Sequence, residues 1–201
     1  MVKLQARVME RVTAYRLWQA PFAEKKLAPL FRHNDLTAAR RVLDVGCGPG
    51  TNARHFSHAD YVGVDNNPDY IAWARRRYGE RFEVADVRNG VAAVGAGFDF
   101  ILVNSLLHHI DTPDVRQILS QLANLLTDDG HVHILDLVMP DRRGLPRLLA
   151  GWDRGDYPRP LGQWRDLFAE ALDPILFEPY PLGAFRFPIW SMVYFKGKRK
   201  R

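Results

Sequence analysis

Cysteine is nearly absent from the sequence. The single one, Cys47 in 201 residues, excludes an intramolecular disulfide framework and a cysteine-cluster zinc site. Long apolar runs are missing too, and nothing approaches the roughly 20 residues that cross a bilayer. The opening MVKLQARVMERV scatters Glu10 and basic residues where a secretory signal needs an unbroken apolar stretch. A reduced, cytoplasmic setting is therefore expected. Internal repeats and low-complexity segments are absent. Outside the last six residues there is no excess of charge. The formal net charge is +5, from 28 Lys and Arg against 23 Asp and Glu, but five of the 28 fall in the closing KGKRKR. The basicity thus reads as a tail, 196–201, expected to be solvated. It is not the spread of cations that a nucleic-acid track uses.

What is present is ordinary for a globular chain: 47% hydrophobic and 25% charged residues, enough for one domain with a real core. Leu4, Val8, Val12, Tyr15 and Trp18 keep a helical spacing through the first part of residues 3–32. Past Pro21, the residues Phe22, Leu27, Leu30 and Phe31 suggest a second helix. From residue 41 the pattern becomes strand and helix in alternation. Apolar strands are predicted at 41–45, 61–64, 82–85, 98–103 and 132–138. Helices are predicted at 51–57, 68–78 and 112–126. Pro68 suits a first helical turn, with Asn66-Asn67 before it for capping. Asp128-Asp129-Gly130 reads as a turn before the fifth strand. After Pro140 come two helical stretches, 144–152 and 161–172, and two further strands, 175–178 and 190–196. Strands alternating with helices predict an α/β fold: a doubly wound, mostly parallel sheet of seven strands with helices on both faces.

In such a sheet, ligands bind beyond the carboxyl ends of the strands. The loop after the first strand, VLDVGCGPGTN over 42–52, has glycines at 46, 48 and 50, where backbone can be approached closely. A dinucleotide needs G-x-G-x-x-G with its pyrophosphate at the next helix. Here the third glycine comes one place early and Pro49 removes an N–H donor. Both features argue against a pyrophosphate and disfavour a nicotinamide-dependent oxidoreductase. Cys47, between two glycines, is expected to pack as a small hydrophobe.

VLDVGCGPGTN resembles motif I of the class I S-adenosylmethionine-dependent methyltransferases, and later segments come in the family's order. YVGVD ends at Asp65, which resembles the acidic residue that holds the ribose hydroxyls. FEVADV resembles the next element, with Asp86 near the adenine amino group and the Val87 backbone near the ring. FDFILVNSLLHHI resembles motif IV, with Asn104 lining the cofactor and Leu106 packing near it. LLTDDGHVHILDLV resembles the family's helix, turn and strand after motif IV. The resemblance covers about residues 40 to 138. It implies a Rossmann-like fold, S-adenosylmethionine as cofactor, and Asp44, Gly46, Gly48, Asn52, Asp65, Asn66, Asp86, Val87, Asn104 and Leu106 as its binding residues. The chemistry agrees. A ligand with a sulfonium and an ammonium calls for carboxylates, and Asp65 can accept two charge-assisted bonds from vicinal hydroxyls.

For the acceptor, the candidates at the ends of strands four and five are His108, His109, Asp111 and Asp136. Histidine is the side chain whose ordinary titration falls near neutral pH, and His108 and His109 are the candidate catalytic pair, as base or as pocket wall. His131 and His133 are expected to be structural, and no metal is expected. The DNA-amino type of methyltransferase has Asp/Asn-Pro-Pro-aromatic where this chain has Asn104-Ser105-Leu106-Leu107. Flanking aromatics, Tyr15, Trp18 and Phe22 before the core and Trp152, Tyr157, Trp164, Phe168, Phe185, Phe187 and Trp190 after it, suggest a small, partly apolar acceptor, though most should simply be core. The expected layout is one domain: a helical lid at 1–39, a cofactor core at 40–138, and helices with the last strands at 139–201. The alternatives are an RNA or protein methyltransferase, or a catalytically silent cofactor-binding subunit that activates a partner. The sequence leaves the oligomeric state open.

Overall fold

The computed structural model describes residues 24–79, 81–90, 94–140, 156–184 and 187–200. The expected apolar stripe from Leu4 to Trp18, Phe22, the 144–152 helix with Trp152, and Phe185 lie outside the described residues, as does the side chain of Phe187. Seven strands form one sheet: β1 (Arg41–Val45), β2 (Asp60–Asp65), β3 (Phe82–Val84), β4 (Phe98–Asn104), β5 (Leu126–Val138), β6 (Leu172–Ala184) and β7 (Phe187–Arg199). Their order is β3-β2-β1-β4-β5-β7-β6. The first five are parallel, and β7 runs antiparallel to both its neighbours. The helices are α1 (24–33), α2 (Pro68–Tyr78), α3 (Thr112–Leu125) and α4 (Leu161–Ala171).

The parallel strands are apolar on both faces because both faces are covered. Along β4, Phe100 and Leu102 enter one core with Leu27, Leu30 and Ile71, from α1 and α2. Ile101 and Val103 enter the other with Ile118, Leu119, Trp164 and Phe168, from α3 and α4. Trp164 and Phe168 are thus core residues, while Tyr157 is exposed. The helix starts agree with the sequence signals. Asn67 caps α2 by accepting the Asp69 and Tyr70 N–H groups, with Pro68 in the first turn. Asp111 caps α3 by accepting the Asp114 N–H. No described helix is long and apolar enough to cross a membrane.

Four differences from the sequence reading have physical reasons. The stretch after the glycine loop is a 3-10 turn, Thr51–Phe56, instead of a full helix. The Asp128-Asp129-Gly130 turn lies inside β5, where the ladder to β4 jumps from Phe98–Leu126 to Phe100–His131. A Cβ at Gly130 would stand 2.6 Å from the Phe98 carbonyl oxygen, so only glycine passes there. β6 is far longer than 175–178 although it holds Pro174, Pro179 and Pro181. It is the edge strand, where prolines are tolerated because one side needs no N–H donors. The basic tail needs correction: Lys196 to Arg199 are strand residues, and their backbone pairs with β6, and in part with β5. Arg199 also forms an ion pair with Asp128.

Candidate functional site

The carboxyl ends of β1 to β5 gather the acidic and glycine residues. β1 carries Asp44, fully buried, whose Oδ2 accepts from the Tyr61 hydroxyl at 2.6 Å and from Asn52 Nδ2 at 3.1 Å. Its Oδ1 is buried and has no hydrogen-bond partner among the described residues. Burial, the largest influence, pushes the Asp44 carboxyl up to about 6, against the lowering effect of those two bonds. A buried carboxylate oxygen with no donor to accept from is costly. Asn52 is itself buried and its amide is committed to Asp44.

The glycine loop then turns away. Gly46 and Cys47 donate to the Val64 carbonyl at 2.8 and 3.0 Å. The three glycines all have positive φ but for different neighbours. A Cβ at Gly46 would lie 2.9 Å from Leu106, and one at Gly50 would lie 2.7 Å from Phe82. At Gly48 a Cβ would meet no atom of the described residues within 4 Å. The protein itself therefore crowds the outer two glycines, and the middle one faces open space. Cys47 is buried, and burial pushes its thiol far up. It packs as a small apolar side chain against the position where Gly63 would carry a Cβ.

Asp65, at the end of β2, fixes this loop. Its Oδ2 accepts the Gly48 N–H and its Oδ1 the Asn67 N–H, both at 2.9 Å. Burial raises its carboxyl above the usual range, and the two N–H bonds oppose that shift. Asn66 beside it is exposed. The β3 end is tied in through the Ala85 N–H, which donates to the Asp65 carbonyl at 3.0 Å. Asp86 comes next, held by Arg88: its carboxylate accepts the Arg88 guanidinium at 2.5 Å and the Arg88 N–H at 3.0 Å. The Arg88 hydrogen bond lowers its pKa. Val87 is buried behind it.

β4 delivers Asn104, half-buried, and then Ser105 at φ 57°. Ser105 is the one described residue other than glycine with a left-handed backbone, a conformation that must be held by its surroundings. Its N–H donates to the Leu135 carbonyl at 2.8 Å, and its hydroxyl donates to Asn104 Oδ1 at 3.3 Å and accepts from Lys26 Nζ at 3.0 Å. Leu107 to His109 form a 3-10 turn. His108 is buried, with Nδ1 2.5 Å from Asp136 Oδ1, and Asp136 also accepts the Leu107 N–H at 2.8 Å. His109 is exposed, and its ring stands 4.0 Å from that of His108. Asp111, a third acceptor-site candidate, is spent on the α3 cap.

Arg159 straps this loop down. It is buried and donates to the carbonyls of Leu107 and Ile110 and to the Thr112 hydroxyl, with Trp164 4.7 Å beneath it. Nothing in the sequence could show that, because these carbonyls and the hydroxyl lie 47 to 52 positions away. Tyr61 on Asp44 escapes the sequence for the same reason, since a tyrosine in a strand reads as core. His133, in contrast, is structural as the sequence suggests. It is fully buried, stacked on Phe100 at 3.9 Å and bonded to the Tyr194 hydroxyl, and burial holds its imidazole well below the usual range. His131 and His133 stand lower in the sheet, opposite Phe100 and Leu102 of β4.

A family profile described as "Methyltransferase domain" matches residues 42–130, the span from the glycine loop to the β5 bulge. The matched stretch comprises most of β1, then β2 to β4 with α2 and α3, and the start of β5. Among curated relatives, the chain is 33% identical over 180 residues to a trans-aconitate 2-methyltransferase of Variovorax paradoxus, an alignment covering 79% of this chain and 62% of that one. It is 35% identical over 129 residues to an uncharacterized methyltransferase of Mycobacterium tuberculosis, covering 61% and 64%. The chain thus spans a little under two thirds of these relatives' lengths. The solved structure of the N-methyltransferase NodS from Bradyrhizobium japonicum shares the fold, at TM-score 0.70 and 17% identity over 90% of this chain and 89% of that one.

Proposed function

We propose that the protein transfers a methyl group from S-adenosylmethionine to a small, partly apolar acceptor. The observation that carries this reading is the unsatisfied, buried Oδ1 of Asp44 beneath the loop where Gly48 faces open space. A methyltransferase cofactor fits such a place. It brings cations to a carboxylate that has spare acceptor capacity, and it needs no nest of N–H donors for phosphate. When bound, the cofactor would supply an electrophilic methyl carbon on a sulfonium: an acceptor's lone pair would become the new bond to carbon, and the C–S bonding pair would stay on sulfur.

The chain's own residues bind and orient. Asp65 is the ribose ligand, pre-aimed by its bonds to the Gly48 and Asn67 N–H groups. Asp44, steadied by Asn52 and Tyr61, faces the cationic part of the cofactor. Gly46 and Gly48 admit it, Leu106 and Asn104 line it, and Asn66, Asp86 and Val87 border its adenosine end. His108 is the better candidate of the histidine pair. Asp136 fixes its tautomer through Nδ1, which makes Nε2 the basic atom for an acceptor that must lose a proton. His109 shapes the rim. Residues 1–39, of which α1 is described, act as a cover, 40–138 as the cofactor core, and 139–201 as the acceptor side.

The relatives named for trans-aconitate support a small molecule as acceptor and make small acids the first to try. A tail-assisted RNA or protein substrate is disfavoured by position. The basic residues of β7 pair with Leu172 to Leu176 of β6 and lie by Asp128, at the end of the sheet opposite the glycine loop. The test is incubation of the purified chain with methyl-labelled cofactor and a metabolite extract, read by mass spectrometry. Label in one or a few small molecules supports the reading, and label confined to RNA or protein overturns it.

A further inference from the structure

We infer that Tyr61 is a positioning residue of the cofactor site: its hydroxyl holds one oxygen of Asp44, so that the carboxylate meets the cofactor's cation as an anion with its other oxygen open. This deepens the cofactor reading above and rests on it. In the ladder between β1 and β2, Asp44 lies opposite Gly63, which carries no side chain, and Val42 lies opposite Tyr61. Tyr61 therefore stands one register step from Asp44 on the same face, a diagonal that an aromatic side chain can span. Its hydroxyl donates to Asp44 Oδ2 at 2.6 Å, and Asn52 Nδ2 donates to the same oxygen at 3.1 Å. Both donors are thus gathered on Oδ2, while Oδ1 has no hydrogen-bond partner among the described residues.

The phenol can take only the donor's part. It is buried, with its ring packed against Phe56 and Phe82 at centroid distances of 6.2 and 5.6 Å. Burial first, and then the charge of Asp44, keep its hydroxyl protonated well above the ordinary range. The other titratable groups acting on this pair are Cys47 of the glycine loop, whose thiol burial keeps neutral, Asp65 of β2 and Tyr78 of α2. None of these is a cation. Burial works against a charge on Asp44, and Asp65 adds to that effect; the Tyr61 hydrogen bond is the largest influence opposing it, ahead of Asn52. Removing a hydrogen bond to a charged group moves such a titration up by about one pH unit or more.

A tyrosine that merely fills the core would be replaced by phenylalanine at the same cost at every pH. A tyrosine that keeps Asp44 ionised costs cofactor affinity only where its loss leaves Asp44 protonated, and that cost vanishes once the pH is high enough to ionise the carboxyl again. The two roles therefore separate in the pH dependence of binding.

The experiment uses the full chain and its Tyr61→Phe variant. The Asp44 carboxyl carbon, assigned with Asp44→Asn, is followed by NMR in the free protein from pH 4.5 to pH 8.5. Affinity for S-adenosylmethionine is measured by calorimetry at pH 6, where about half of the wild-type Asp44 is charged, and at pH 8.5. We expect Asp44 to titrate higher in the variant by about one pH unit or more. The variant should bind S-adenosylmethionine at least about fivefold more weakly than the wild type at pH 6, and within about twofold of it at pH 8.5. A second measurement needs no variant to fold: in the wild-type chain labelled with carbon-13 tyrosine, the ring carbon that bears the Tyr61 hydroxyl should shift in step with Asp44, because its acceptor changes from charged to neutral. An Asp44 titration unmoved in Tyr61→Phe would overturn the inference. So would an affinity loss of equal size at both pH values, or a Tyr61 signal that stays constant while Asp44 titrates. Failure of the wild-type chain to bind S-adenosylmethionine at either pH, with the Asp44 titration moving as expected, would instead remove the reading on which the inference stands.

Discussion

Asp44 carries a charge where the fold offers little to balance it, and this makes cofactor binding depend on pH. Its folded pKa, about 6, lies above the ordinary 3.8 because of burial. The folded state therefore favours the protonated form. The stabilisation this gives is full below about pH 4 and is lost as pH rises through about 6, a change on the order of 3 kcal/mol at roughly 1.4 kcal/mol per unit. A cationic ligand needs the opposite, ionised form. At pH 5 only about one tenth of Asp44 is ionised, so cofactor affinity should fall about tenfold between pH 7.5 and pH 5. Calorimetry in two buffers of different ionisation enthalpy should show proton release near pH 5.5 and none at pH 7.5. Affinity that is flat across this range would contradict the role of Asp44. Asp65→Ala removes an acceptor of charge-assisted bonds, each worth about 1.5–3 kcal/mol, and should weaken cofactor binding at least tenfold in the same titration. At this scale the sequence showed Asp44 and Asp65 but not what touches them. It marked Gly46, Gly48 and Gly50 alike as places of close approach. It could not show that Leu106 and Phe82 crowd two of them, because those neighbours come from β3 and from the end of β4.

Among the elements, β1 and α2 were legible to the residue because their signals are local: an apolar run ending in glycine, and Asn67-Pro68 as a cap. β6 and β7 were only half legible. Prolines made β6 look like loop, and lysines made the end of β7 look like tail, whereas both tolerate these residues for reasons of sheet position. β7 lies between β5 and β6, and its last residues pair with Leu172, Asp173, Pro174 and Leu176. Deleting residues 196–201 should therefore destabilise the chain by about 2 kcal/mol or more, lowering the melting temperature by roughly 5 °C. A merely solvated tail would give no effect. A truncated chain that melts with the full-length one would restore that solvated tail.

In the whole molecule, the sheet order places β1 beside β4 at its centre, and chain connection reverses there. Ligands of open α/β sheets sit at this reversal; Gly48 and Asp65 are hydrogen-bonded beyond β1 and β2, and Asn104 closes β4. The alternation of strands and helices announced this architecture, since it needs only the period of the pattern. The contacts around the end of β4 were not announced, because Lys26, Ser105 and Arg159 make theirs across 47 to 79 positions of chain. The central claim is that the cleft above β1 and β4 holds S-adenosylmethionine. Calorimetric titration of the full chain at pH 7.5 with S-adenosylmethionine, its demethylated product and NAD tests it most directly. The account predicts saturable one-to-one binding of the first two and none of NAD; tight binding of NAD with no response to the sulfonium cofactor would contradict it.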